Sequence, residues 1–434
     1  MKNTLSQGNF DSSDSIKNNK VLLISSILLT VFIIAVAYHY INGYYFRSGY
    51  PLNTFLFRPP VRFSDYFQVY DITKQFNNSQ SGFIAYFPFT HLILSILTLL
   101  PAKVGFLFMS LSFLCMLFLQ MRFFVVDKIP TKILRYQTAL VLSLLTYPTL
   151  FALDRGNIEI IIYIFLGFFF YFYYVKKSKW LSILFLGAAI GMKMIAAVFL
   201  ILLISDKKYR ELLYVFLTTV FFTLSGYASM IITTGKSVAQ IIRAAQDSTN
   251  LYFFNYVLEW QGLTHSHSLW NFFKIYKLIW NLDSDSQYAL NIYTLVILAI
   301  IGLVVLYIIF IEQEDWKKIT LLVLSMILFP YASGDYTLIY IYFPLTFFIM
   351  AKKQTRNELF YLFTFSFLLL PINYFYFDFP ISKFPYLHGD ISYAVIIYPL
   401  AMALLMSKIV YDGLYSRFGR YSLFSLKAKK STSN

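Results

Sequence analysis

A single cysteine, Cys115, stands in the 434-residue chain, inside an apolar run. No disulfide framework and no cysteine metal site can form within the chain. Charge is scarce as well: 13% of residues are Asp, Glu, Lys or Arg, about half the share usual in a soluble domain. The chain has no glycine-rich phosphate loop, no His-Glu-x-x-His and no Gly-x-Ser-x-Gly, which leaves ATP-driven and protease readings without support. Residues 21–41, the first apolar run, lack a small-residue cleavage site, so we expect a retained helix rather than a removed signal peptide. There is no low-complexity block and no long linker.

What the chain has is hydrophobicity: 58% of residues are hydrophobic and 20% aromatic, with a mean hydropathy of +0.62. Repeated apolar runs of membrane-spanning length indicate an all-α, polytopic integral membrane protein. Richness in Phe, Tyr, Ile, Lys and Asn fits an AT-rich bacterial genome. The net charge of +15 raises the question of nucleic acid, and its placement answers it. Basic clusters at Arg122 to Arg135, Lys176-Lys177-Ser178-Lys179, Lys207-Lys208-Tyr209-Arg210, Lys352 to Arg356 and Lys408 to Lys430 belong on the cytoplasmic side by the positive-inside rule. That side then holds 24 Lys and Arg against 10 Asp and Glu, and the outer side 11 against 11; Lys193, at membrane depth, is the last of the 36. The excess marks orientation and contact with anionic lipid rather than a nucleic-acid footprint.

Ten crossings are expected, at about 21–41, 104–124, 136–152, 158–175, 211–233, 290–310, 317–331, 336–350, 357–372 and 391–410. They leave residues 1–20 as a polar cytoplasmic N-terminus, 21–410 as one transmembrane domain, and 411–434 as a basic cytoplasmic tail. Residues 84–100 would break the parity, so they read as a helix embedded from the outside. Residues 180–205 lie between two cytoplasmic clusters. They read as two half-helices, 181–192 and 194–205, whose turn places Lys193 deep in the protein; a plain spanning helix with Lys193 snorkelling is the alternative.

Two outer loops, 42–83 and 234–289, are long. In the first, Ser64 takes an N-cap position, Asp65 the first helical turn, and Phe63, Tyr66, Phe67 and Tyr70 an apolar stripe suited to the lipid surface. Asp65 is a candidate general base, with a helix-capping acid as its rival. Asp71 reads as a solvated face residue. The string Leu153-Asp154-Arg155-Gly156-Asn157-Ile158-Glu159 opens a helix, where an arginine favours a phosphate; pairing of Arg155 with Asp154 or Glu159 is the alternative. Lys193 is a buried cation in need of an anion, and Gly187, Ala188, Ala189 and Gly191 let helices approach around it. His265 and His267 could bind metal, but lack a third ligand nearby, with Asp283 and Asp285 remote; hydrogen bonding or loop polarity is the preferred reading. Asp335 opens a helix and reads as a cap.

Four ordered motifs carry a resemblance. They are Ser64-Asp65-Tyr66-Phe67; Tyr86-Phe87-Pro88-Phe89; Arg155-Gly156-Asn157-Ile158-Glu159 followed by Gly187-Ala188-Ala189-Ile190-Gly191-Met192-Lys193; and Gly334-Asp335-Tyr336 leading to Pro344. In this order the chain resembles the GT-C superfamily of membrane glycosyltransferases. The likeness is to polyprenol-phosphate-mannose-dependent α-mannosyltransferases of bacteria and to the catalytic subunit of GPI mannosyltransferase I, and is strongest over 60–210. It departs from the pattern in two places: no Asp-x-Asp surrounds Asp65, and no proline soon follows Lys193.

The resemblance implies a hexose donor on a polyprenyl phosphate, mannose-like, and a glycan or glycolipid acceptor at the outer face of a bacterial inner membrane. Asp65 would be the catalytic base, and Arg155 and Lys193 would bind the donor phosphate. Tyr66, Asn157, His265, His267, Asp335 and Tyr336 would bind substrate, no metal or other cofactor would be needed, and the anomeric centre would invert. Two other readings stay open. A lipid-linked glycan flippase or other transporter would show paired broken helices in both halves; one break, at Lys193, is visible. An O-antigen ligase or polymerase would place cations in the late outer loop, where Arg243, Lys274 and Lys277 stand.

Overall fold

The computed structural model describes residues 7–77, 86–122, 132–259, 262–280, 286–351, 357–373, 376 and 391–431. The basic cluster Lys352 to Arg356 and the acids Asp283 and Asp285 lie outside the described residues. Among those described the chain is helical, with no strand and two isolated β-bridges, Ser266–Gly334 and Tyr376–Ser392.

Helix α1 (Gln7–Tyr44) rises to the loop that carries α2 (Ser64–Asn77), and α3 (Pro88–Leu97) and α4 (Ala102–Gln120) follow. Phe63, at φ +60°, turns the chain into α2, and its N–H donates to the Asp154 carbonyl at 2.6 Å. Ser64 is thus the first helical residue rather than the cap. Half of the stripe expected on lipid turns inward: Tyr66 and Tyr70 are buried, while Phe67 is half-buried and Phe63 exposed. Aromatic rings gain more from packing against other rings than from a half-wet interface, and a phenol needs an acceptor. Tyr66 packs on Phe106, and the Tyr70 hydroxyl donates to the Leu100 carbonyl at 2.7 Å, just past α3, where helix-end carbonyls lack partners.

Helices α5 (Lys132–Leu144) and α6 (Tyr147–Arg155) form one apolar run bent by 53°, with Pro148 in the first turn of α6. Next come α7 (Glu159–Phe170), continued by a π-turn Tyr171–Val175, then α8 (Lys179–Met192), a 3-10 stretch Met194–Phe199, α9 (Leu200–Ser205) and α10 (Tyr209–Thr234). The chain doubles back between α8 and α9. Before α8, the Tyr173 hydroxyl donates to Asp206, just after α9, at 2.6 Å. At the start of α8, Lys179 pairs with Glu211 of α10 at 3.4 Å. A straight run from 179 to 205 would part these groups by about 40 Å. The break falls at Lys193, whose backbone is extended. The two expected half-helices are therefore present, the second opening as a 3-10 stretch.

The rest comprises α11 (Val238–Tyr252) with a π-turn Phe253–Leu258, α12 (Leu269–Ile279), α13 (Ser286–Phe310), α14 (Asp315–Leu328), a 3-10 stretch Asp335–Ile341, α15 (Tyr342–Met350), α16 (Glu358–Leu368) and α17 (Ala394–Ser431). A second 3-10 stretch in the later half was not apparent in the sequence. Among the described residues, five helices are long and apolar enough to cross a membrane, namely the Lys20–Tyr44 part of α1, α4, α10, α13 and the Ala394–Phe418 part of α17; the bent α5–α6 pair makes six. The remaining segments expected to cross form shorter helices. One apolar core links Val21 of α1 to Ile409 of α17.

Helix α10 lies close against α3 because Gly226 has no side chain: a Cβ there would sit 2.2 Å from the Pro88 carbonyl carbon. Backbone cannot yield as a flexible side chain can. Gly226→Ala should cost about 1–3 kcal/mol, read as a lower melting temperature in detergent. Gly302→Ala, with nothing within 4 Å, should leave it unchanged.

Candidate active site

The turn between α6 and α7 organises the site. Gly156 is left-handed, at φ +64°, and a Cβ there would meet Tyr66 Cβ and a Phe106 ring carbon, each at 2.9 Å. Only glycine both makes the turn and admits α2 beside it. Arg155 and Asn157, on either side, then converge on Asp65. The Arg155 guanidinium pairs with one Asp65 oxygen, and the Asn157 amide donates to the other at 2.9 Å. The Asn157 carbonyl oxygen accepts the backbone N–H of Glu159 at 3.1 Å, so one side chain caps α7 and holds the acid. Each Asp65 oxygen keeps a second lone pair for another donor.

Arg155 is further committed. It lies over the Phe57 ring at 4.0 Å and donates to the Val61 carbonyl at 3.3 Å. Its partner is neither Asp154 nor Glu159, the two considered from sequence. Asp154 instead accepts the Phe57 N–H at 3.2 Å and meets Arg62 at 3.3 Å, which fixes the loop carrying Phe57.

Glu159 opens α7 with its side chain 1% exposed, paired with Lys193 and accepting from the Tyr340 hydroxyl. The level of Lys193 follows. The run Glu159–Val175 descends about 25 Å and α8 climbs back about 21 Å. The tip of the hairpin therefore returns to the level of the start of α7, where Glu159 meets Lys193. Its side chain is 38% exposed, not buried as expected, and Glu159 engages one of three ammonium donors.

His267, Asp335 and His265 also come together, but inside the protein. Asp335 accepts from the Tyr147 hydroxyl, and its other oxygen lies 2.9 Å from Nε2 of the fully buried His267. His265 Nδ1 is 3.7 Å from the oxygen that Tyr147 donates to. Burial alone would raise the Asp335 carboxyl; the facing His267 and His265 outweigh it and hold the group below the carboxylate range. The His267 N–H donates to the Ser333 carbonyl at 2.8 Å, so the histidine loop and the 334 turn form one clamp. Asp335 is more than the helix cap expected, and it and His267 face the interior. No group of three metal-ligating residue types suited to an ion occurs among the described residues. Lys274 is likewise interior, donating to the Tyr256 and Glu259 carbonyls at 2.9 and 3.0 Å; burial pushes its ammonium down to about 8.

Tyr66 is core; of the expected substrate contacts Asn157 and Tyr336 lie at the two carboxylates, and half-buried His265 packs edge-on against the Phe57 ring that Arg155 covers. Tyr336 is half-buried and within electrostatic reach of Asp65, Glu159, Tyr86 and Tyr252. Tyr86, also half-buried, has its phenol pushed well up by burial, with the charges of Asp65 and Glu159 adding to it. Sequence reasoning placed Tyr86 in a motif without a role and missed Tyr340, which the 3-10 stretch delivers. From Ile195, two residues past Lys193, an apolar cavity of about 250 Å³ runs between the returning limb, α13 and α14, bounded by Tyr293, Ile297, Leu322 and Phe329.

Residues 83–333 match Glycosyltransferase family 87, a stretch that is more than half of the chain. It holds Arg155, Asn157, Glu159, Lys193, His265 and His267, begins after Asp65 and ends before Asp335. No curated protein and no solved structure matches the chain.

The Glu159–Lys193 pair is asymmetric, and stability should show it. Lys193→Met leaves a buried carboxylate without its cation and should cost about 3 kcal/mol or more. Glu159→Gln leaves a lysine that water can reach and should cost about 1 kcal/mol or less. Glu159→Gln/Lys193→Met should recover most of the loss. Equal melting temperatures for the two single variants would contradict the asymmetry.

Proposed function

The chain belongs to glycosyltransferase family 87, a GT-C-like family of membrane glycosyltransferases, and from that premise we propose that it transfers a hexose from a polyprenyl-phosphate donor to a hydroxyl of a cell-envelope glycan or glycolipid. The observation that carries this reading is the pairing of two carboxylates with two cations at one turn: Asp65 with Arg155, and Glu159 with Lys193. The apolar cavity lined from Ile195, two positions after Lys193 in sequence, supports a donor with an isoprenoid tail, since it would receive apolar chain while the lysine holds the phosphate.

The acceptor hydroxyl attacks the anomeric carbon as Asp65 takes its proton. The new oxygen–carbon bond forms as the bond to the phosphate oxygen breaks, and polyprenyl phosphate departs with the electron pair. In-line displacement inverts the anomeric centre. Lys193, with free donors on its ammonium, stabilises the charge that grows on the leaving phosphate. Arg155, committed to Asp65 before substrate arrives, orients the base and is a secondary phosphate contact. A phosphate leaving group needs neither protonation nor a metal. The bilayer is a partner in presenting the donor. We place the protein in a bacterial inner membrane with the site facing the periplasm, because this arrangement puts the basic clusters in the cytoplasm.

The test is transfer of radiolabelled hexose from polyprenyl phosphate in membranes. Asp65→Asn keeps the shape of the side chain and one of its two accepting oxygens but cannot take a proton, and should lower turnover by about 10²–10⁴-fold. Normal transfer by well-folded Asp65→Asn would remove the base assignment. Transfer by the wild type should also persist in EDTA; its loss and recovery with a divalent cation would overturn the metal-free mechanism.

A further inference from the structure

Beside the two carboxylates stands a group of aromatic rings that the reaction as written does not use. Tyr252 ends α11, and Tyr256 follows in the π-turn; their rings stack at 4.9 Å with planes 18° apart. Both are exposed, Tyr252 by 44% and Tyr256 by 39%. A π-turn inserts a residue into a helix and is frequent at functional sites. This one is built to last. The Val257 carbonyl accepts from the indole N–H of buried Trp270 at 2.8 Å, and Lys274 binds the carbonyls on either side. Helix α12 thus holds two carbonyls of the turn and the one that follows it.

The location is also informative. The Tyr86 phenol interacts electrostatically with Asp65, Glu159, Tyr252 and Tyr256, and Tyr252 in turn with Glu159, which sets the stacked pair within range of the acids. The proposed function gives the donor phosphate to Lys193 and its tail to the cavity from Ile195, which the π-turn adjoins through Phe253 and Tyr331. The aromatic wall is left for the other substrate. Its chemistry is flat π faces edged by phenol hydroxyls. A pyranose matches both: its C–H face bears partial positive charge that suits the negative face of a ring, and its hydroxyls suit the phenols.

Building on the glycosyl-transfer reading, we propose that Tyr252 and Tyr256, with Tyr86 and Tyr336 at the rim, form the subsite that binds the pyranose ring of the acceptor next to Asp65. The probe is methyl α-D-mannopyranoside, a soluble glycoside without a lipid tail, followed by saturation-transfer difference NMR on the full chain in nanodiscs. Wild type should saturate the ring protons of the glycoside. Tyr252→Ala/Tyr256→Ala should reduce this roughly tenfold, while Tyr252→Phe/Tyr256→Phe, which keeps the faces, should retain most of it. Equal signal in the alanine pair, or none in the wild type, would overturn the subsite. A role as an interfacial anchor predicts the first of these. Because binding is read without turnover, wild type that binds the glycoside yet transfers no hexose would sink the transfer reading and leave the subsite standing. In the transfer assay with octyl α-D-mannopyranoside as acceptor, the alanine pair should raise KM for the glycoside and leave KM for the donor unchanged. A rise in the donor KM instead would overturn the assignment to the acceptor.

Discussion

The contact between Glu159 and Lys193 holds the site together. It joins the first residue of α7 to the tip of the hairpin formed by α8 and α9, two points 34 positions apart in sequence. It acts with the Thr90 hydroxyl, which donates to the Met192 carbonyl at 2.8 Å, against the tendency of the apolar residues on either side to continue as helix. The carboxylate is the buried partner and the ammonium the accessible one, so the cation is both held and available. A pair buried on both sides would lock the lysine away from any ligand. A pair exposed on both sides would not hold the tip.

The second constraint is a backbone one. At Gly156 the chain must turn left-handed while Tyr66 presses on it from α2. Arg155 and Asn157 leave that turn in the directions needed to meet the two oxygens of Asp65, and Glu159 starts the next helix. Five consecutive residues thus connect both carboxylates through a single rigid turn. Asp65 and Lys193 come from other parts of the chain, and their positions relative to one another depend on that turn more than on their own helices.

Much of this was legible in the sequence, for physical reasons that can be named. Apolar runs gave the helical membrane architecture. A lysine between two apolar half-lengths, flanked by basic clusters, gave the doubling-back at Lys193. The spacing of Phe63, Tyr66 and Tyr70 gave α2 but assigned its ring face to lipid, because periodicity shows that a face is apolar and not what covers it. Partners were the least legible. Arg155 had two acids close by in sequence and chose a third, Asp65, 90 positions away. Tyr340 sits in an apolar run and becomes polar machinery only because a 3-10 stretch rotates its hydroxyl towards Glu159. Asp335 and His267 carried the chemistry of a site and the burial of a clamp, a difference that composition does not register. The crossings expected beyond the five or six long helices fall on short helices, where hydropathy cannot distinguish a span from a buried core segment.

The charges of the site bear on how the proposed reaction would run. Two acids and two cations stand balanced before any substrate binds. A polyprenyl-phosphate sugar adds one negative charge, which Lys193 can meet with donors that Glu159 does not use. As the acceptor proton reaches Asp65, that carboxylate becomes neutral; as the phosphate leaves, it gains the charge that Asp65 lost. The total stays constant while its centre moves from the Arg155 side of the turn to the Lys193 side. A low-dielectric site tolerates such a shift far better than a net change, and no ion need enter or leave in the step. The Arg155–Asp65 contact, which would look like a base tied up by its partner, becomes part of the same device: the arginine loses its counter-ion at the moment a second charge appears on the phosphate next to it.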